Sequence, residues 1–131
     1  MPPITDDGRQ EQATPALDLA ILSELRQLQG EGEPDIVQEL AEAFQSETPL
    51  LLETMHQAAL ELQPEKLRRA AHNIKGSSYN LEAPTMATFS AELETLGKSG
   101  TAEGAAELVT RLEQEHQCVC RALATEIARA T

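Results

Sequence analysis

The sequence predicts an all-α fold: an antiparallel up-and-down four-helix bundle with an additional short N-terminal helix. Three observations carry that expectation. Apolar residues make up 40% of the 131-residue chain but aromatics only 2%, so the core must be assembled mainly from Leu, Ala, Ile, Val and Met. Ala, Leu, Glu and Gln, which lose little freedom in a helix, are abundant, whereas the alternating β-branched and aromatic runs that strands require are nearly absent. Apolar residues recur instead at helical spacing, in stretches divided by proline and glycine. A chain of this length supports one hydrophobic core and not a second independent one.

Residues 1 to 14 combine Pro, Gly, Asp, Gln and Arg without hydrophobic period and read as a flexible tail, which leaves 15 to 131 as the domain. Asp18 is a candidate N-cap for a short first helix carrying Leu19, Ile21, Leu22, Leu25 and Leu28, stopped by Gly30 and Gly32. The second helix begins near Pro34 and repeats Val37, Leu40, Phe44, Leu51, Met55, Ala58 and Leu62 on one face. Pro49 lies inside it and removes an amide donor, so a bend near Gln45 is expected in preference to a break. Pro64 opens a third helix, from about Glu65 to Leu81. Pro84 opens a fourth, with Met86, Phe89, Leu93 and Leu96, which ends at Gly97 and Gly100. Thr101 is suited to cap the fifth, which carries Ala105, Leu108, Leu112, Val119, Leu123 and Ile127. Short connections favour antiparallel neighbours, so the last four helices form the bundle and the first lies across one end.

Ten Lys and Arg against 22 Asp and Glu give a net charge of −12, which repels nucleic acid and anionic membrane over most of the surface. No apolar stretch approaches the roughly 20 residues that span a bilayer, and Met1 to Gln12 lacks the apolar core of a signal peptide. Cys118 and Cys120 stand too close together to build a disulfide framework, in keeping with a reducing compartment, and the expected location is cytoplasmic.

The third helix holds the informative residues. At about 100° per residue with His72 at zero, Leu67, Ala70, Ala71, Ile74, Ser77, Ser78 and Leu81 fall between roughly 140° and 260°. That arc is the core face, and His72 lies roughly opposite it. Sharing its face are Lys75 at about 300°, Arg68 at about 320°, Tyr79 at about 340°, Gly76 at about 40° and Arg69 at about 60°. Lys66, Arg68, Arg69 and Lys75 are four of the ten basic residues, gathered within ten positions of a strongly acidic chain. A glycine one turn after His72 weakens the helix by up to about 1 kcal/mol relative to alanine, which points to a steric purpose: space beside the ring for an incoming group.

An exposed imidazole titrates near about 6.5, so near neutral pH much of it is neutral and one ring nitrogen is a free nucleophile able to attack phosphorus. The product would carry a dianionic phosphoryl group that Lys75 and Arg68 can neutralise through charge-assisted hydrogen bonds. From the residues alone two readings stay open: an ordinary solvated face, or a phosphoryl-carrying site.

From His72 to Ala83 the chain reads His-Asn-Ile-Lys-Gly-Ser-Ser-Tyr-Asn-Leu-Glu-Ala. This resembles the signature of histidine-containing phosphotransfer (HPt) domains of multistep two-component phosphorelays, His-x-hydrophobic-Lys-Gly-Ser-Ser-x-x-hydrophobic-Gly-Ala. Ala71, the Phe44 region and the Leu93 to Gly97 stretch extend the resemblance over about residues 17 to 128. It implies a helical bundle in which His72 accepts a phosphoryl group from a receiver-domain aspartate or a hybrid sensor histidine kinase and passes it to another receiver domain. It also implies a phosphoryl carrier without ATP site or autonomous catalysis, in agreement with the lack of a Gly-x-x-x-x-Gly-Lys phosphate loop. No cofactor is expected on this chain, and Mg²⁺ would belong to the receiver partner.

Arg69 and Tyr79 are the candidates for contact with such a partner, although for Tyr79 simple partial exposure is an equal reading. Glu94 falls where relatives often place a polar residue close to the histidine, and is a candidate for orienting the imidazole. Glu82 departs from the family at its usual glycine, where a carboxylate could favour the next helix N-terminus. The alternative is a non-phosphorylated helical adaptor that binds a receiver or kinase through the same face, but an adaptor needs neither His72 nor a neighbouring glycine. A monomer is expected, and Met1 with its tail leans towards a freestanding protein. His116, Cys118 and Cys120 are metal-ligand types, but Cys118 points away from the face that His116 and Cys120 share, so packing is expected and metal is not.

Overall fold

The computed structural model describes residues 16–30, 32 and 35–130; the tail and Pro34 lie outside the described residues. Five helices follow in order: α1 Leu19–Leu28, α2 Ile36–Leu60, α3 Pro64–Asn80, α4 Pro84–Lys98 and α5 Ala105–Ala130. No strand occurs among the described residues. Helices α2 to α5 pack in a ring, each against its neighbours in sequence, with α5 closing back on α2. Only three residues separate α2 from α3, and three separate α3 from α4, so successive packed helices reverse direction.

The two tight connections share one device. Just past the end of each helix stands a residue in the left-handed region, Leu62 at φ 55° and Glu82 at φ 61°. The following amides then fold back: Gln63 N donates to Ala58 O at 2.9 Å and Ala83 N to Ser78 O at 2.8 Å. This is the paired-carbonyl C-terminal motif that normally selects glycine. Pro64 and Pro84 then open the next helix at a position where no amide donor is needed.

The core runs the length of the ring through Val37, Phe44, Met55, Leu67, Ile74, Leu81, Met86, Leu93, Val109, Leu112, Val119 and Leu123. Helix α1 covers the end where α2 and α4 begin and α3 and α5 finish. Leu17 and Leu22 are buried there, Asp18 N donates to Glu82 O at 2.7 Å, and Arg26 reaches Asp35 at 3.0 Å and Glu126 at 2.6 Å.

Several expectations are revised. In α1, Leu19, Ile21 and Leu28 are exposed, because a helix lying over the bundle's end touches it along one narrow line. Helix α2 starts at Ile36, and Asp35 caps it, accepting from Val37 N at 3.1 Å. Helix α2 continues through Pro49 as one element, as expected in preference to a break. Leu62 is exposed beyond the helix end, so it does not continue the buried face. Gly97 does not stop α4: it is buried within the helix. Thr101 accepts from Glu103 N at 3.0 Å and so stabilises the turn that precedes α5, which starts at Ala105.

Candidate functional site

Helix α3 buries Leu67, Ala70, Ala71, Ile74 and Ser78, the stripe expected from its periodicity, and turns His72 outward with its side chain 62% exposed. Its amphipathic register therefore sets the direction of the imidazole before any partner is considered.

The ring is held from α4. Its Nδ1 lies 2.8 Å from Glu94 Oε2. Glu94 is almost fully buried, and its other oxygen, Oε1, receives Lys75 Nζ at 2.6 Å. Lys98 Nζ stands 3.7 Å from Oε2. The Lys75 hydrogen bond, assisted by the His72 bond and by the charges of Lys75 and Lys98, outweighs burial and holds the Glu94 carboxyl down to about 2. The same contact pushes the Lys75 ammonium up. An ionised carboxylate only accepts, so the neutral ring carries its proton on Nδ1 and leaves the Nε2 lone pair facing solvent.

The structure thus brings together His72, Lys75 and Glu94. Arg68 is engaged elsewhere: its Nε and Nη2 bind Glu65 at 3.0 and 2.6 Å, and no ion pair joins it to Glu94 among the described residues. Arg69 is exposed and only loosely paired with Glu65, at 3.6 Å. Gly76 is exposed, and a Cβ built there meets nothing within 4 Å. Tyr79 is 61% exposed and lines a shallow groove with Thr88, Ala91, Glu92 and Thr95 of α4.

Sequence reasoning missed Lys98 and Gly97. Lys98 stands four residues after Glu94, the spacing of an ion pair on one helix face, and that signal was available. A Cβ on Gly97 would lie 2.7 Å from Pro64 O and 2.9 Å from Arg68 Cβ. The glycine therefore lets α4 approach the start of α3 and carries Glu94 within reach of His72. Placing Gly97 on the α4 wheel, one turn after Leu93, shows it on the buried face.

The remaining candidates separate. His116 lies against Phe44 with ring centroids 5.3 Å apart and planes tilted by 36° and approaches Cys120 Sγ at 3.6 Å, while Cys118 Sγ meets Arg121 at 3.4 Å. No group of three or more metal-ligating side chains gathers among the described residues.

A helical bundle that displays an imidazole on the outer face of one helix and backs it with a buried carboxylate on the next defines a phosphotransfer module. The model of the Hpt domain matches residues 39–128, and the chain belongs to the Hpt domain family. It is similar to the crystal structure of histidine-containing phosphotransfer protein B (HptB) from Pseudomonas aeruginosa PAO1, with 28% identity and a TM-score of 0.77 over 88% of this chain and 96% of that one. A search of the curated proteins found no match. The chain's role is accordingly histidine phosphotransfer in a phosphorelay, the setting in which Hpt domains interact with receiver domains.

Proposed function

We propose that His72 is the phosphorylated residue and that the group moves between it and receiver-domain aspartates. The observation that carries this is the 2.8 Å contact of Nδ1 with Glu94 on an otherwise exposed ring. With Nδ1 protonated, Nε2 attacks the phosphorus of an aspartyl phosphate. The N–P bond forms, the acyl P–O bond breaks, and its electron pair returns to the aspartate carboxylate. The ring keeps its Nδ1 proton and becomes cationic, a charge that Glu94 offsets. Lys75 and Lys98 supply positive charge for the phosphoryl oxygens, and Gly76 leaves the approach clear.

The donor is a receiver domain or a hybrid sensor histidine kinase, and the acceptor a second receiver. Mg²⁺ and the ATP chemistry belong to those partners, and this chain acts as a monomeric carrier. No helix among the described residues is long and apolar enough to cross a membrane, and a cytoplasmic location follows from the reading.

Incubation with phosphorylated receiver domain should produce an acid-labile, base-stable label that is absent from His72→Gln. Label retained in that variant, or no label from any donor tried, overturns the assignment; the second result would favour the adaptor.

A further inference from the structure

The two flanks of His72 differ in a way that bears on partner choice. On the α4 side the cations belong to the histidine's own site or are paired: Lys75 and Lys98 surround Glu94, and Arg68 is gripped by Glu65. On the α2 side an open groove of about 350 Å³ runs between Leu51 and Thr54 of α2 and Lys66, Arg69, Ala70 and Asn73 of α3. Arg69 stands three residues before His72, so the groove borders the helix face that carries the imidazole. Its floor is apolar, from half-buried Leu51 and buried Ala70, and Leu50 beside it is 71% exposed.

The groove's charge is the unusual part. Lys66 makes no ion pair among the described residues. The Arg69 to Glu65 contact is 3.6 Å long between side chains 64% and 63% exposed, a geometry that contributes little and yields readily to a better acceptor. In a chain of net charge −12, these two cations form a positive opening that most of the surface would deny to an acidic partner. The groove beside Tyr79 contains no cation and carries Glu92.

We propose that the α2/α3 groove selects among receiver domains, admitting those that present carboxylate side chains beside an apolar one at the edge of their phosphorylation site. This rests on the assignment of His72 above. Attraction between the cations and the partner's carboxylates raises the encounter rate and orients the receiver so that its aspartyl phosphate meets Nε2; wrong partners, neutral or basic at that edge, gain nothing there.

The test uses the full chain and the receiver domain from the source genome that labels it fastest. Lys66→Glu with Arg69→Glu should raise KM for the phosphorylated receiver by about ten-fold or more, with kcat within about two-fold. The doubly reversed control Arg111→Glu with Arg121→Glu has the same net charge, lies on α5, and should change KM less than about two-fold. Transfer to the wild type should weaken as salt is raised, and the salt dependence should flatten in the groove variant. Equal effects of the two double variants, or an unchanged salt dependence, overturn groove selection. Loss of the label in His72→Gln in the same experiment keeps that outcome separate from failure of the His72 assignment itself.

Discussion

Two glycines one helix apart do opposite things at the face that carries His72. Gly76 has open space where a Cβ would stand, whereas Gly97 faces backbone at 2.7 Å and a Cβ at 2.9 Å. Gly76→Ala should therefore stabilise the bundle by about 0.5–1 kcal/mol through helix propensity, visible as a higher midpoint in thermal unfolding, while slowing transfer from a receiver. A faster or unchanged transfer rate would remove the steric role given to Gly76. Gly97→Ala should destabilise by roughly 1–3 kcal/mol, because two packed helices must separate.

Glu94 sets the pH response at the same scale. Its carboxyl is held at about 2 against an ordinary 4.5, so folding favours the ionised form. The stability it contributes is complete above about 4.5 and is lost as pH falls towards 2. The difference in unfolding free energy between wild type and Glu94→Gln should shrink through that window; a constant difference from neutral pH down to about 2.5 would contradict the ion-pair account.

At the scale of the element, the three-residue connections Glu61-Leu62-Gln63 and Leu81-Glu82-Ala83 are one solution used twice. A left-handed residue closes one helix and a proline opens the next. Left-handed backbone costs a residue bearing a Cβ roughly 1 kcal/mol, which explains physically why relatives favour glycine at the position of Glu82. Glu82→Gly and Leu62→Gly should each raise stability by about 0.5–1 kcal/mol, read as a thermal midpoint higher by a few degrees. Leu62 is 58% exposed, so little burial is forfeited there. A lower midpoint for both variants would show that the side chains contribute more than the conformation costs. These turns were only half legible: Pro64 and Pro84 announce helix starts, but nothing in Leu62 or Glu82 announces a positive φ. That conformation is imposed by the short distance between packed helices.

For the whole molecule, Arg26 is where three segments meet. It bridges Asp35 at the start of α2 and Glu126 near the end of α5, and the bridge holds the Asp35 carboxyl below its usual range. Arg26→Ala should loosen α1 while the ring of α2 to α5 persists. Amide exchange should accelerate across residues 19–28 before it does in α3. Uniform acceleration throughout the chain would mean instead that α1 is integral to the bundle's cooperativity.

The helical class, the four bundle helices and the outward direction of His72 were determined by the sequence alone, because they follow from residue period and helix geometry, which act within one segment. The company of Lys75 and Gly76 on that face followed for the same reason. What the tertiary structure decided were the relations between segments. It placed Glu94 against both His72 and Lys75, turned Arg68 away to Glu65, buried Gly97 at a helix crossing, and opened the cationic groove on one flank only. A helix wheel places a residue on a face; the neighbour it meets depends on how far one helix is displaced along the next, and here that displacement is set by a glycine contact and two strained turns.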